Sequence, residues 1–343
     1  MKRTHLVLTA RVVALGAALA LSVSQAQLMG TPAQLAAQPA LKGFAAQGGG
    51  LLVSGGTRVT ADVAGGRVVG VLVEADSVDG LARGLGAGWN VAEKDLPKLV
   101  QNLSNPALLA AARTGYVDLT DDSGTDLIAL KVTGTGPATR YLGYVAVKIW
   151  PDSAFPPVKA AVGAAGAPNV LRVFSDFQCP YCKQLWDSSM RDWRAAPASF
   201  RVVHYEFPLP FHRNAQGAAE ASECAAAQGT FWAFADQLFA NFATWTPLDP
   251  KDAPARYAAY ARAAGLDTAA FKTCVGQRTF RADVDAQVKS GAGVTVQGTP
   301  TVFLNGMKLK NYSDTAEVAQ VRAVTTATPG AASLIDARLK LFR

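Results

Sequence analysis

The first half of the chain alternates apolar and polar positions in short runs that end at glycines. Runs of this kind predict β-strands, and Gly65-Gly66 supplies the turn of a hairpin. Leucines at helical spacing, interrupted by Pro106, predict one or two helices over residues 94–113. The first half is therefore expected to be a small α+β unit with an antiparallel sheet. Its predicted strands are Leu51 to Ser54, Arg58 to Val63, Val68 to Glu74, Asp126 to Val132 and Tyr141 to Trp150.

The second half mixes short apolar runs with long helical stretches. A helical region over residues 215–283, with breaks near Gly229, residues 247–254 and Gly265, separates two strands from a hairpin at Asn305-Gly306. The order strand, helix, strand, helical insertion, hairpin and helix predicts an α/β domain. Its predicted elements are strands Val170 to Phe174, Phe200 to Phe207, Thr301 to Leu304 and Met307 to Leu309, a helix Lys183 to Trp193, and helices through Val318 and from Ala332 to the end.

The domain boundaries follow from length and from prolines. A chain of 343 residues suggests about two domains. Pro151, Pro156, Pro157 and the stretch 163–168 indicate a linker between the two halves. The predicted domains are residues 27–150 and 169–343, joined by residues 151–168.

The N-terminus has the pattern of a secretory signal over residues 1–26. Basic residues Lys2, Arg3 and Arg11 precede a short apolar stretch, and Ser24-Gln25-Ala26 supplies small residues for cleavage. The apolar stretch is shorter than the roughly 20 residues of a comfortable membrane span, which favours cleavage over an uncleaved anchor. We therefore expect a protein of the periplasm or cell envelope, or a secreted one.

The net charge is +7, from 33 Lys and Arg against 26 Asp and Glu. The basic residues are scattered, and no basic run is interleaved with aromatic residues. This distribution is typical of an ordinary protein surface and is not that of a nucleic-acid-binding surface.

The most informative motif is Cys179-Pro180-Tyr181-Cys182, which follows a predicted strand and opens a predicted helix. Two intervening residues let the sulfurs bridge within one helical turn, and the first sulfur lies where the helix dipole and free N–H groups favour a thiolate. Cys179 is therefore the predicted nucleophile, and Cys182 resolves the mixed disulfide. A zinc site needs about four ligands, which this motif does not provide, and a purely structural bridge of so small a loop adds little stability.

Three segments resemble the DsbA family of thioredoxin-fold proteins. They match, in the same order, the family's active-site stretch, its helical insertion and its cis-proline loop. The resemblance covers about residues 168–310 and does not extend to residues 27–150. The three segments are Phe174 to Gln184, His204 to Trp232 and Gly298 to Gly306.

The resemblance implies a thioredoxin-like fold with a helical insertion, preceded by the small α+β domain. It implies a cis peptide before Pro300, which faces the cysteine pair, and a Thr299 backbone that binds an extended substrate. No cofactor and no metal are implied, because the cysteines carry the electrons. Tyr181 stands where well-studied members have histidine, and Val173 where many bury an acid, so we expect a weaker oxidant.

The other candidate cysteine, acidic and histidine residues each have more than one possible role. Cys224 and Cys274 lie in predicted helices of the insertion, where an oxidising compartment favours a bridge, while two buried free thiols are the alternative. Asp176 fits a proton relay and a turn or cap equally well. His204 and His212 are read as surface or satisfied strand histidines more than as ligands or bases.

The sequence therefore predicts an exported thiol–disulfide oxidoreductase that acts on cysteine-containing exported proteins, with a membrane protein as a further redox partner. It leaves open whether the enzyme is an oxidase, an isomerase or a reductase. A redox-inactive thioredoxin-fold binding or holdase module is the alternative. Exported isomerases of the DsbC and DsbG kind have a similar layout and dimerise through their first domain. Residues 27–150 are accordingly expected either to form a homodimer or to bind a partner or tether a monomer.

Overall fold

The computed structural model describes residues 28–120 and 123–343, and the chain divides into two compact units. The first unit ends at Val147 and also contains Ala327–Arg343, and the second is Lys148–Thr326. The predicted signal sequence lies outside the described residues. None of the helices in the described part has the length and apolar character that crossing a membrane requires.

The first unit is a seven-stranded antiparallel sheet in the order β1-β2-β3-β4-β7-β6-β5 with helices around it. All five strands predicted in this half are present, and the two-residue edge strands were not predicted. The elements are α1 (Pro32–Ala36), β1 (Ala45–Ala46), β2 (Leu51–Ser54), β3 (Thr57–Ala64), β4 (Arg67–Ala75), α2 (Val78–Gly88), α3 (Leu96–Leu103), α4 (Pro106–Thr114), β5 (Val117–Asp118), β6 (Asp126–Thr133) and β7 (Arg140–Val147).

Helix α2 was not predicted, because its four glycines lower the helix propensity of the segment. Ser77 caps its N-terminus by accepting a hydrogen bond from the Gly80 amide. A Cβ atom at Gly84 would come within 2.6 Å of Val73, and one at Gly88 within 2.6 Å of Val145. The glycines therefore let the helix lie directly on the sheet, and close packing outweighs propensity.

The second unit has a five-stranded sheet in the order β12-β11-β9-β10-β8, with β9 parallel to β10 and antiparallel to β11. This arrangement confirms the predicted α/β order and the helical insertion. The elements are β8 (Ala161–Val162), β9 (Asn169–Ser175), α5 (Pro180–Leu185), α6 (Arg191–Arg194), β10 (Phe200–Glu206), α7 (Ala215–Ala227), α8 (Phe231–Ala240), α9 (Phe242–Trp245), α10 (Ala253–Ala263), α11 (Thr268–Gly276), α12 (Arg281–Gly293), β11 (Thr301–Leu304), β12 (Met307–Lys308) and α13 (Thr315–Thr326).

The predicted linker, residues 151–168, is instead an integral part of the second unit. Its strand β8 pairs with Val202 and Val203 of β10. Phe155 is buried, with its ring 5.3 Å from that of Phe303 in the aromatic core. The prolines indicated a break in regular structure, but the apolar side chain between them determines where the segment packs.

The predicted helix Lys183 to Trp193 is present but interrupted. It begins three residues earlier, at Pro180, and α5 is separated from α6 by a wider turn over Trp186–Met190. Ser188 in this turn has non-helical dihedral angles, with φ −119° and ψ −106°.

The last helix, α14 (Ala331–Leu339), belongs to the first unit, although the sequence assigned everything up to residue 343 to the second domain. Its Arg338 binds the buried carboxylate of Asp62 on β3 at 2.8 Å, and the Tyr144 hydroxyl donates a 2.9 Å hydrogen bond to the same carboxylate. Phe342 is buried next to Tyr144. A buried carboxylate requires charged or hydrogen-bonding partners, and these partners lie far away in sequence.

Candidate active site

The two cysteines of the CPYC motif lie between β9 and α5, as the sequence predicted. Strand β9 ends at Ser175, a short turn follows, and Cys179 is the residue immediately before the first turn of α5. Pro180 occupies the first helical position, where a missing N–H is tolerated. Both thiols are free, so the structure shows the reduced form of the pair.

Cys179 has the properties of a nucleophilic thiol. Its pKa is lowered from 9.0 to about 6, chiefly by a hydrogen bond from the Cys182 thiol, with the backbone N–H groups of Cys182 and Tyr181 adding to the effect against the opposing influence of burial. The residue is only 3% exposed. A thiol with this pKa is mostly thiolate near neutral pH, which is the reactive form.

Cys182 has the opposite character. It is 1% exposed, and burial raises its pKa well above 9.0. The Asp176 backbone amide donates a 3.4 Å hydrogen bond to its sulfur. The pair therefore consists of one sulfur that ionises readily and one that keeps its proton until its environment changes.

The loop before β11 completes the site. The peptide bond between Thr299 and Pro300 is cis, as the resemblance implied. The Cys179 sulfur lies 3.4 Å from the Thr299 carbonyl oxygen, so the two motifs meet although 120 residues separate them. The Thr299 hydroxyl is buried and has no hydrogen-bond partner among the described residues. A hydroxyl without a partner beside an ionising sulfur can donate to the thiolate once it forms.

Cys224 and Cys274 form a disulfide in the structure, which is the pairing expected from the sequence. The bond joins α7 to α11 within the helical insertion and closes a loop of 50 residues. The sulfurs of Cys224 and Cys274 are bonded to each other, and Cys179 and Cys182 are the free thiols of the chain.

Asp176 and His212 form a contact that sequence reasoning missed. The Asp176 side chain is buried, and its carboxylate accepts hydrogen bonds from the Gln178 and Leu209 amides at 2.7 and 2.9 Å. The His212 Nδ1 atom lies 2.7 Å from the same carboxylate. Burial raises the pKa of Asp176. Asp176 therefore has the turn role that the sequence offered as one of two alternatives. His212 contacts a buried carboxylate and is not a simple surface histidine. Because 36 residues separate the two side chains, no local sequence signal could reveal their contact.

His204 is a fully buried strand histidine. It stacks on Phe177 with ring centroids 5.4 Å apart, and its Nδ1 lies 3.4 Å from a carboxylate oxygen of Glu206. Glu206 in turn accepts a hydrogen bond from the Ser222 hydroxyl at 2.8 Å. The sequence predicted either a surface histidine or a strand histidine whose ring nitrogens have hydrogen-bond partners. In the structure, neither ring nitrogen makes a hydrogen bond within the described residues.

Two aromatic side chains beside the motif are strongly exposed. Tyr181, within the CPYC motif, is 66% exposed, and Phe211, in the loop that also carries His212, is 74% exposed. Four other aromatic side chains of the second unit are instead buried in its core, namely Trp186, Phe231, Phe234 and Phe239.

The described residues contain no group of three or more histidine, cysteine and acidic side chains arranged to hold a metal ion. The groups around which the site is built are the two sulfurs of Cys179 and Cys182. An ionised outer thiol, a protonated inner thiol and a backbone carbonyl facing the outer one are the parts that thiol–disulfide exchange uses.

Comparisons with known proteins find matches to the part of the chain that carries this site. Residues 157–321 match the family model described as Thioredoxin. Over 147 residues, 43% of this chain, the sequence is 34% identical to a Na⁺/H⁺ antiporter NhaA of Salinispora tropica. The chain spans about a fifth of the length of that antiporter, 21%, so the likeness concerns a segment of it.

Two solved structures are similar to part of this chain. Oxidised BdbD from Bacillus subtilis is 22% identical, with a TM-score of 0.43, and the match covers 49% of this chain and 94% of BdbD. The reduced disulfide bond oxidoreductase DsbG from Mycobacterium tuberculosis is 20% identical, with a TM-score of 0.40, and the match covers 52% and 93%. Residues 157–321 of this chain match the thioredoxin family model and form a thioredoxin-like domain with a helical insertion between β10 and the final hairpin.

Proposed function

We propose that the protein is an exported thiol–disulfide oxidoreductase whose redox centre is Cys179 and Cys182. The observation that carries the proposal is the asymmetry of the two thiols. The pKa of Cys179 is lowered to about 6, while burial raises the pKa of Cys182. A structural cysteine pair has no need of such a difference, whereas an exchange catalyst needs one sulfur that attacks and leaves easily.

In the oxidising direction, a substrate thiolate attacks the Cys179 sulfur of the Cys179–Cys182 disulfide and releases Cys182 as a thiolate, which takes up a proton. A second substrate thiolate then attacks the substrate sulfur of the mixed disulfide and releases Cys179. The substrate loses two electrons and two protons. The enzyme gains the two electrons and the proton that Cys182 takes up, and the other proton goes to solvent because Cys179 leaves as a thiolate. The reverse sequence of steps reduces a substrate disulfide, and both halves together isomerise one.

Thr299 and Pro300 support this role by their position. The Thr299 carbonyl lies beside the Cys179 sulfur, and β11 continues from Thr301 into the sheet. An extended substrate strand that pairs with this loop would hold its own cysteine against Cys179. We propose Pro180 and Tyr181 as supporting residues, because they form the first helical turn that faces the thiolate.

The test is exchange with a protein substrate. The purified protein without residues 1–26 is assayed for reduction of insulin by dithiothreitol and for oxidation of a reduced cysteine peptide. We expect both reactions to be catalysed, and Cys179→Ala to abolish them. Cys182→Ala should accumulate mixed disulfides with the substrate through Cys179, because nothing then resolves them.

The matched control is Cys224→Ala with Cys274→Ala, which removes the same number of sulfurs outside the proposed centre. This double variant should retain catalysis. Wild-type protein that is inactive in both assays would favour a binding or holdase module without redox activity and would refute the proposal.

We also propose export, on the basis of the basic and apolar pattern of residues 1–26, and cysteine-containing exported proteins as substrates, with a membrane protein as redox partner. Fractionation of cells that produce the full chain tests the location. Protein retained in the cytoplasm with residues 1–26 intact would contradict export.

A further inference from the structure

A buried carboxylate lies in the turn between β9 and α5, and no step of the proposed exchange reaction uses it. Asp176 is 1% exposed. One of its carboxylate oxygens accepts a hydrogen bond from the Gln178 amide at 2.7 Å, and the other accepts one from the Leu209 amide at 2.9 Å. The His212 Nδ1 atom lies 2.7 Å from that second oxygen. Three donors thus face one buried carboxylate, and two of them belong to the loop between β10 and α7.

The backbone of the same residue contacts both members of the redox pair. The Asp176 carbonyl oxygen accepts a 3.1 Å hydrogen bond from the Cys179 amide, and the Asp176 amide donates a 3.4 Å hydrogen bond to the Cys182 sulfur. Burial raises the pKa of Cys182, and the Asp176 amide and the Ser175 side chain act against this rise. The Asp176 N–H group is therefore a donor that stabilises negative charge on the inner sulfur.

Negative charge reaches the inner sulfur when the disulfide of the oxidised protein opens. A thiolate attacks the Cys179 sulfur and forms a bond to it. The bond between Cys179 and Cys182 breaks, and its electron pair goes to the Cys182 sulfur, which afterwards takes up a proton. Because Cys182 is 1% exposed, water has little access to this charge. A fixed N–H donor at hydrogen-bond distance stabilises the charge as it develops in the transition state.

The contacts of the carboxylate fix the direction of this N–H group. The side chain and the amide of Asp176 share one Cα atom, so a side chain that is held at both oxygens restricts rotation of the backbone next to it. Leu209 and His212 hold it from a loop that is 33 and 36 residues away in sequence. The Asn214 amide of the same loop donates a 2.7 Å hydrogen bond to the Gln178 side chain. Removing one donor from the carboxylate therefore loosens the N–H group that faces Cys182.

We propose that Asp176 and His212 are positioning residues of the redox reaction, which hold the Asp176 N–H group on the Cys182 sulfur so that this sulfur leaves readily as a thiolate. Both side chains act through the backbone amide and not through contact with the substrate. The inference rests on the proposed exchange activity, and it adds to that site two residues that lie outside the CPYC motif and the cis-proline loop.

The test is the rate at which glutathione opens the disulfide of the oxidised protein. The second-order rate constant is measured at one fixed pH by acid quenching and mass spectrometry. We expect His212→Ala to lower it about fivefold to tenfold, which is the order of one hydrogen bond. Asp176→Asn should lower it further, because an amide has a single oxygen and cannot replace both carboxylate oxygens as acceptors for Gln178 and Leu209.

Two matched variants make the comparison specific. His212→Asn keeps an N–H donor close to the position of Nδ1 and should therefore retain most of the wild-type rate. Asp187→Asn removes an exposed carboxylate after α5, where it pairs with Lys183 at 2.6 Å, and should leave the rate unchanged. Because Asp176→Asn changes a buried side chain and can impair folding, the two His212 variants decide the question; the His212 side chain is 19% exposed.

Two further measurements separate positioning from a general effect on the fold. The lowered pKa of Cys179 comes chiefly from the Cys182 thiol, so the alkylation midpoint of reduced His212→Ala protein should stay near pH 6. The reduction potential should change by less than about 30 mV, which corresponds to a tenfold change in the equilibrium constant. The reason is that the N–H group faces an uncharged sulfur in both the disulfide and the dithiol, so its loss slows opening and closing alike.

The outcomes separate the two proposals. If glutathione does not open the disulfide of the oxidised wild type, the proposed function fails and this inference fails with it. If the wild type reacts but His212→Ala is equally fast, or if His212→Asn is as slow as His212→Ala, exchange stands and the positioning role is refuted. An equal loss of rate in Asp187→Asn, or a reduction potential that moves with the rate in His212→Ala, would show an effect of charge or of stability and would also refute it.

Discussion

At the residue scale, the distinctive feature of this protein is the difference between two chemically identical side chains three positions apart. The pKa of Cys179 is lowered to about 6 because the neighbouring thiol and backbone N–H groups stabilise its thiolate. Burial raises the pKa of Cys182, which therefore stays protonated. The cause lies in position: one sulfur precedes the first turn of α5, and the other lies inside it. A hydrogen bond from the Thr299 side chain also lowers the pKa of Cys179.

The pH dependence of alkylation should report this difference. Iodoacetamide should modify Cys179 with a midpoint near pH 6, because the rate follows the thiolate fraction, and should leave Cys182 unmodified in the folded protein. Thr299→Val should move the midpoint to higher pH, since the thiolate loses a hydrogen-bond donor. Mass spectrometry of the labelled peptides checks both statements; labelling of Cys182 first would contradict the assignment.

The same shift couples to stability. The pKa of Cys179 is about 6 in the folded reduced protein against an ordinary value of 9.0, so the unfolded chain binds more protons between these limits. The free energy of unfolding of the reduced form should therefore rise with pH across that window, by at most about 1.4 kcal/mol per pH unit from this group, and lose the contribution as the pH falls through 6.

At the element scale, packing and cross-links override the propensity of individual segments. Helix α2 forms despite its glycines, because close approach to β4 and β7 needs residues without a Cβ atom. The helical insertion is held by the disulfide between α7 and α11, which joins segments that share no sequence pattern. Changing the glycines of α2 or removing the disulfide should therefore lower the stability of the protein.

Substituting Gly84→Ala should destabilise the protein, by about 1–3 kcal/mol, although alanine favours helices. The added methyl group would lie 2.6 Å from Val73, well inside van der Waals contact. The control is Gly276→Ala at the end of α11, where an added Cβ atom meets nothing within 4 Å. Thermal unfolding measures both, and an unchanged midpoint for Gly84→Ala would show that the helix can move away from the sheet.

Removing the Cys224–Cys274 bond should lower stability and leave exchange chemistry intact. Closure of a 50-residue loop corresponds to about 4 kcal/mol in the chain-entropy account of disulfides. The double variant Cys224→Ala with Cys274→Ala is compared with the wild type by denaturant unfolding and by insulin reduction. A parallel loss of activity in the still-folded variant would show that the bond supports the redox site.

At the scale of the whole molecule, the chain passes from the first unit to the second after Val147 and returns to it at Ala327. The second unit is thereby connected at both of its ends to the first, which carries no candidate catalytic residue. The returning segment is fixed by the buried carboxylate of Asp62, bound by Arg338 and Tyr144. We propose that the first unit has a geometric role and serves as a dimerisation domain.

Arg338→Ala should destabilise the first unit, because it leaves Asp62 buried with a single hydrogen-bond partner. Loss of one member of a buried ion pair costs about 3–5 kcal/mol, and the partial exposure of Arg338 reduces this to roughly 1–3 kcal/mol. A double-mutant cycle with Asp62→Asn, measured by thermal unfolding, isolates the coupling. Strictly additive effects would show that the contact contributes nothing.

Dimerisation is tested by light scattering on the protein without residues 1–26. We expect twice the monomer mass, since twofold dimers are the commonest oligomers. The control is Phe211→Ser, which alters an exposed residue of the second unit and should not change the mass. A monomer at all concentrations would refute the proposal.

The sequence by itself determined the features that local chemistry controls. Alternation and glycine turns predicted β2, β3, β4, β6 and β7, and the CPYC motif predicted that a helix opens at the redox pair. The cis-proline opposite the cysteines was implied by the family resemblance. These signals are local because a strand, a turn or a helix start depends on residues within a few positions of one another.

Only the tertiary structure decided the contacts between distant segments. It paired Asp176 with His212, moved the last helix to the first unit through Asp62 and Arg338, and made residues 151–168 part of a core in place of a linker. The physical reason is the same in each case. A buried charge or an apolar side chain must find partners wherever the fold brings them, and periodicity along the chain contains no information about which distant residue that is.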